Sequence, residues 1–255
     1  QVDVLAITDH DSTYGLAEAH AAAQAHYPAL KIIDGVEIST RWHSFEIHIV
    51  GLNIDTGHPS LQAFLAGQQQ KREERAAKIA DKLAKCGFEG TLERARRYAG
   101  VGQITRAHFA RVLVDNFQVA TLEKAFKLYL GKGKRAAVKA EWPDIAAAVK
   151  VIQQAGGRAV LAHPIHYDMT TKWLRRLIAE FAEAGGDAAE VVFPGMSAEK
   201  QALLHSIVAE YELLASAGSD FHFPGRWTEL GRCQLKSDTL TPVWHDWNLA
   251  VSQSS

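Results

Sequence analysis

The apolar positions of this chain fall into two rhythms. In residues 2–8, 31–39, 46–54, 158–162, 189–193 and 213–217 they run continuously or alternate, with Val and Ile frequent. Such short runs predict buried β-strands. Elsewhere the spacing changes to i, i+3, i+4. It predicts helices over 12–27, 143–155, 171–184 and 197–211, with Gly156-Gly157 and Gly185-Gly186 as stops. Pro143 is expected at a first helical position, where its missing N–H costs nothing. Strands alternating with helices of this length predict βαβ units and a parallel sheet or barrel. The stretch 63–130 breaks the rhythm. It holds no clear strand and predicts helices over 68–86, 106–114 and 121–130. The expected organisation is one α/β domain built from residues 1–62 and 141–255, with an all-helical insertion at 63–140.

Composition narrows the picture. With 255 residues, 47% of them hydrophobic, and a net charge of −1, the chain can bury a large core and is not globally disordered. Cys86 and Cys233 give neither a disulfide framework nor a zinc-site spacing, which points to a reducing, cytoplasmic setting. No apolar run reaches the roughly 18 residues of a membrane span. The charge is unevenly spread: residues 63–140 carry 17 Lys and Arg against 7 Asp and Glu, and the rest carries 11 against 22. A basic helical block set against an acidic barrel suggests an anionic partner. Lys71, Lys78, Lys82 and Lys85 read as a solvated helix face. Arg75, Arg106, His108 and Lys134 are the candidate phosphate contacts, with Arg106 and His108 at a helix start. The chain opens at Gln1 inside an expected core strand, which leads us to expect a missing upstream segment carrying a first barrel strand.

The chemistry gathers at strand ends. Ile7 leads to Thr8-Asp9-His10, Val36 to Glu37, Ala162 to His163, and Gly218-Ser219 to Asp220-Phe221-His222. His48 lies inside a strand, on the face that period-2 alternation gives to Glu46 and Val50. In a parallel barrel the C-terminal strand ends share one mouth. His10, Glu37, His163, Asp220 and His222 would meet there, with His48 lining the same interior. Carboxylates buried together repel unless a cation binds between them. The mixed nitrogen and oxygen set suits Zn²⁺, Mn²⁺ or Fe²⁺, and six donors exceed one tetrahedral site, so at least two ions are expected. A single histidine at a strand end is usually structural; the repetition at four ends argues for metal. His20, His26, His43, His58, His205 and His245 default to surface roles. Asp9 and Asp11 could orient an imidazole, and Asp11 or Ser12 could equally cap a helix.

These residues, in this order, resemble the PHP (polymerase and histidinol phosphatase) family of metal-dependent phosphoesterases. The carrying motifs are residues 6–11 (AITDHD), 35–39 (GVEIS), 48–52 (HIVGL), 162–164 (AHP) and 218–222 (GSDFH). The likeness is stronger toward a bacterial branch, the 3′,5′-nucleoside bisphosphate phosphatases and the 5′-3′ exoribonuclease ribonuclease AM. There it takes in residues 105–111 (TRAHFAR), 127–130 (KLYL) and 229–232 (ELGR) as well. The resemblance implies a distorted (β/α)₇ barrel and a site of up to three metal ions, commonly manganese. His10, Glu37, His48, His163, Asp220 and His222 would be ligands, and the helical insertion would cover the mouth. It also implies hydrolysis of 3′,5′-nucleoside bisphosphates or short 5′-phosphorylated RNA by a metal-bound hydroxide, with no protein nucleophile and no obligate protein partner. The family's opening His-x-His and following Asp are absent, in line with the expected upstream segment. Residues 136–137 (Ala-Ala) and 165–166 (Ile-His) replace the branch's usual Gly-Tyr and Gly-Arg, which bears on substrate preference. Two rivals remain. One is a monoesterase for small metabolites resembling histidinol phosphatase. The other is a non-catalytic RNA-binding protein that keeps a degenerate PHP shell.

Overall fold

The site is built around a β-hairpin. A computed structural model describes residues 2–100, 102–222, 230–231, 233–235 and 240–249. All six expected strands form: β1 (Val4–Ile7), β2 (Lys31–Trp42), β3 (Phe45–Leu52), β4 (Arg158–Leu161), β5 (Ala188–Val192) and β6 (Leu214–Ala217). They make one curled sheet in the order β1-β2-β3-β4-β5-β6.

The sheet is mixed, which corrects the all-parallel expectation. β1 pairs β2 in parallel, as do β4 with β5 and β5 with β6, but β3 runs antiparallel to both neighbours. The cause is the length of one link. Only His43 and Ser44 separate β2 from β3. Two residues can close a hairpin, whereas a parallel crossover needs a dozen or more. His43 takes a left-handed φ of 50° to make this turn.

The described chain divides into two compact units, residues 1–62 with 143–255, and residues 63–142. In the first unit the hairpin is two-faced. Ile38 pairs with Ile49 and Thr40 with Ile47, and all four are fully buried. This face takes the helix α6 (Ile145–Gln154); a Cβ on Gly51 would meet Ile152 at 2.9 Å. The opposite face carries Glu37, Ser39 and His48. The helix α1 (Leu16–His26) packs on β2, and α8 (Ala198–Glu210) covers β5 and β6. With α7 (Thr171–Glu183) they bury Leu177, Ile178, Phe181, Leu204, Ile207 and Val208.

The second unit is helical. It comprises most of α2 (Pro59–Ala84), then α3 (Thr91–Ala99), α4 (Arg106–Phe117) and α5 (Leu122–Ala125), the last running into a π-helical turn at Phe126–Leu130. Its core gathers Ile79, Leu83, Ala95, Phe109, Val112, Leu113 and Leu130. α2 begins nine residues before the expected 68 because Pro59 opens it and Leu61 and Leu65 extend its buried stripe. α3 was not expected: its arginines mask a narrow buried seam of Thr91 and Ala95 at i, i+4. The first turn of α6 also differs from expectation. Pro143 precedes the helix, and Asp144 is the N-cap, accepting the Ala147 N–H at 2.8 Å. No helix among the described residues is long and apolar enough to cross a membrane.

Candidate metal centre

Three of the six expected ligands converge on the carboxylate of a fourth, Glu37. Glu37 is 6% exposed at the polar face of β2. Its Oε1 lies 2.8 Å from His48 Nδ1 and 3.2 Å from His163 Nε2; its Oε2 lies 3.7 Å from His10 Nδ1. The two imidazole nitrogens of His48 and His163 are themselves 3.2 Å apart.

Local structure explains each placement. Glu37 is paired with Val50, which makes His48 its diagonal neighbour on the same face. His48 therefore reaches the centre from the middle of an antiparallel strand rather than from a C-terminal end. His10 continues the parallel register of β1 through an isolated bridge to Glu37, with Glu37 N–H donating to the Asp9 carbonyl and Asp11 N–H to the Glu37 carbonyl. The Ala162 N–H donates to the His48 carbonyl, which brings His163 beside His48.

Asp220 and His222 stand at the rim. The His222 ring is 6.2 Å from the His10 ring, and its Nδ1 lies 2.9 Å from the Asp220 carbonyl oxygen. Asp220 is close enough for its charge to act on His163. His10, Glu37 and His48 form a group whose prospective donor atoms all lie within 4.8 Å of one another. Three non-glycine residues here adopt left-handed φ: Asp11 at 48°, His163 at 31° and Asp220 at 47°. Such conformations persist only where surrounding contacts enforce them.

The electrostatics match a cation site. Burial pushes the Glu37 carboxyl up, but hydrogen bonds from His163 and His48 and the charge of His10 outweigh it and hold it well below the usual range. Burial pushes His163 down, yet Glu37, Glu190 and Asp220 raise it above its ordinary value. The donor spacing tests the fit of a metal. Glu37 Oε1, His48 Nδ1 and His163 Nε2 are separated by 2.8–3.2 Å. The ligand edges of a tetrahedral ion bound at about 2.1 Å are roughly 3.4 Å. The donor set fits a divalent ion.

Sequence reasoning missed several neighbours. Glu190 on β5 accepts the His163 backbone N–H at 2.6 Å, and burial pushes its carboxyl up to about 7. Tyr167 accepts the His48 backbone N–H at 2.9 Å. His166 stacks on His163 with ring centroids 6.0 Å apart and meets Phe193 at 3.9 Å. Asp11 does not cap the helix that follows it. α1 begins at Leu16, and Asp11 Oδ1 instead accepts the Ser39 N–H at 2.9 Å. Burial raises the Asp9 carboxyl against the opposing charge of His222.

The four candidate phosphate contacts lie in the helical unit. Arg75 spans the Trp142 ring at 5.5 Å and donates Nε–H to the Val138 carbonyl. Arg106 is the first residue of α4, and His108 closes a capping box with Thr105, its Nδ1 accepting the Thr105 N–H at 3.1 Å. Burial and the charge of Arg111 lower the His108 pKa. Its imidazole is therefore neutral at pH 7, with Nε2 carrying the proton. Lys134 is exposed, in a cleft shared with Lys127, Tyr129, Gly133 and Arg135. In the segment 229–232, Glu229 and Arg232 lie outside the described residues.

Comparison with known proteins places this geometry. No protein-family model matches the chain. The chain is 46% identical over 243 residues to a 5′-3′ exoribonuclease of Haemophilus influenzae, covering 95% of this chain and 88% of that protein. It is 46% identical over 247 residues to the 5′-3′ exoribonuclease Rnm of Escherichia coli, covering 97% and 84%. A 3′,5′-nucleoside bisphosphate phosphatase of Chromobacterium violaceum is 38% identical over 245 residues, covering 95% and 85%. Among solved structures, a Chromobacterium violaceum amidohydrolase holding sulfate and no metal superposes with a TM-score of 0.85 at 39% identity, covering 95% of this chain and 84% of that one. Identity at this level over almost the whole chain, together with the shared fold, shows that the chain belongs to the PHP family of phosphate-ester hydrolases, in the branch of bacterial 5′-3′ exoribonucleases and 3′,5′-nucleoside bisphosphate phosphatases.

Proposed function

We propose that the protein is a cytoplasmic, manganese-dependent phosphoesterase. Its substrates would be nucleotides with a second phosphate next to the scissile one: a 3′,5′-nucleoside bisphosphate or the 5′ end of a short phosphorylated RNA. The observation that carries this reading is the convergence of His10, His48 and His163 on the Glu37 carboxylate. The names of the relatives supply the substrate class.

In this reading His10, Glu37, His48 and His163 hold the inner ions, and Asp220 and His222 complete the set at the rim. When bound, divalent ions lower the pKa of water to near neutrality and neutralise charge on a phosphoryl group. The protein's own part is positional. Glu37 offers both carboxylate oxygens to facing imidazoles, and its low pKa keeps it ionised throughout the physiological range. The hairpin fixes His48 against Glu37 through the diagonal relation of their backbones. No serine or cysteine nucleophile is assigned.

The second phosphate is read by the helical unit. Arg106 offers a bidentate fork, His108 a neutral Nε2–H, and Lys134 a point charge. Arg75, fixed against Trp142, adds a further cation. Arg106→Ala tests this role. A charged hydrogen bond contributes about 1.5–3 kcal/mol, or roughly 10–150-fold. The expected result is a loss of that size in kcat/KM for adenosine 3′,5′-bisphosphate and for 5′-phosphorylated RNA, with p-nitrophenyl phosphate turned over as before. An equal loss on all three would remove the phosphate-reading role. Faster turnover of histidinol phosphate than of the bisphosphate would replace the nucleotide reading with that of a small-metabolite monoesterase.

A further inference from the structure

We infer that Glu190, on β5, is a positioning residue of the metal centre: its carboxylate holds the backbone of His163 in the conformation that aims the imidazole at Glu37. This rests on the reading of His163 as a ligand, and it adds a part of the site outside the ligand set.

The β4 ladder does not reach His163. Leu161 pairs with Ala189, and the parallel β4–β5 ladder is recorded no further than that pair. His163 then turns to φ 31°, ψ 50°, a left-handed conformation that side chains with a Cβ seldom adopt. A residue turned this way no longer presents its N–H along the ladder. Glu190 is one residue beyond Ala189, so its side chain lies alongside this turn. Its Oε2 accepts the His163 N–H at 2.6 Å, a short hydrogen bond.

The other side of the carboxylate is equally defined. A Cβ built on Gly218, at the end of β6, would stand 2.0 Å from Glu190 Oε1 and 2.8 Å from its Cδ. Only a glycine admits the carboxylate there. The Cys233 Sγ lies 3.1 Å from both the Gly218 and the Val192 carbonyl oxygens, with one S–H to donate between them. Glu190 therefore joins the turn after β4 to the end of β6, which lead to His163 and to Asp220. Partners that orient a metal ligand typically change metal affinity 10–100-fold when lost.

Three variants test the inference: Glu190→Ala, Glu190→Gln and Gly218→Ala. Manganese affinity is measured by isothermal titration, and the His163 backbone amide by ¹⁵N NMR on the metal-free protein. Circular dichroism and the urea midpoint report folding. Glu190→Gln keeps an oxygen acceptor, and it is expected to retain manganese affinity within about threefold and a downfield His163 amide. Glu190→Ala removes the acceptor, and Gly218→Ala displaces it. Each is expected to weaken manganese binding at least tenfold and to move the His163 amide upfield. The double variant should be no worse than either alone, because both remove one contact. Wild-type affinity and an unmoved amide in Glu190→Ala would overturn the inference. So would Glu190→Gln losing as much as Glu190→Ala, which would make the charge, rather than the acceptor, the operative property. The amide resonance needs no metal. If the wild-type protein bound no manganese while the amide responded as expected, the ligand reading would fail and the positioning of His163 would stand.

Discussion

Glu37→Gln is expected to cost the protein at least one equivalent of bound metal and to lower turnover about 10³-fold or more. The substitution keeps the shape of the side chain and the β2–β3 pairing, so the fold should persist. What it removes is the charge that three imidazoles share. His48 Nδ1 and His163 Nε2 both face Glu37 Oε1, and an amide would bring no negative charge with which to hold a cation there. A divalent ion stabilises transition-state charge by several kcal/mol, and each 1.36 kcal/mol is tenfold in rate. His163→Ala should act in the same direction, because it removes a donor from the same triangle. Metal content after dialysis, read by mass spectrometry, and kcat/KM on the bisphosphate check the result. Full metal content with ordinary turnover in either variant would contradict the ligand assignment.

Metal and pH are expected to act against each other on stability. In the metal-free protein His163 has a raised pKa, so its contribution is fully present below the unfolded value of 6.5. That contribution is lost as pH rises through the folded value. Glu190 has the same sign. Its carboxyl moves from 4.5 to about 7, so ionising it destabilises the fold between those values, by up to about 3 kcal/mol. Glu37 has the opposite sign: its contribution is complete above 4.5 and lost only as pH falls through its lower folded value. The metal-free protein should therefore melt at a lower temperature at pH 8 than at pH 5.5. Metal binding requires deprotonated ligands and strengthens as pH rises. At a thousandfold excess over Kd, manganese should add about 4 kcal/mol at pH 8, roughly 8–16 °C in Tm, and much less at pH 5.5. Calorimetry with and without manganese at both values checks this. A metal increment equal at the two pH values, or a metal-free protein more stable at pH 8, would contradict the linkage.

Most of this site was legible before any coordinates, and the reasons differ by residue. His10 and His163 are polar residues placed where apolar strands end; Glu37, expected at such an end, stands inside β2, which runs on to Trp42. His48 was found from period-2 alternation alone, and the antiparallel pairing of β3 later put it on the same face as Glu37. The direction of β3 was also readable in principle. The expected strands 31–39 and 46–54 leave six residues between them, too few for a parallel crossover. The rhythm of strand and helix elsewhere outweighed that arithmetic. Glu190 was not found because a lone acid in an apolar strand carries no spacing signal; its meaning depends on Gly218 and on the His163 N–H, both distant in sequence. The left-handed turns at Asp11, His163 and Asp220 were equally hidden, since none is glycine and the strain is imposed by surrounding contacts. His108 shows the converse. The sequence marked it as a phosphate contact, and the fold first uses it as a cap, which leaves only one ring nitrogen for any ligand.

The central claim is that His10, Glu37, His48 and His163 form one divalent-metal centre. Its most direct test is a crystal of the protein equilibrated with manganese, with anomalous scattering recorded at the manganese edge. Anomalous density is expected within bonding distance of Glu37 and of the three imidazole nitrogens facing it. Manganese-dependent hydrolysis in solution, with that position empty of anomalous density and the ions bound elsewhere, would contradict it.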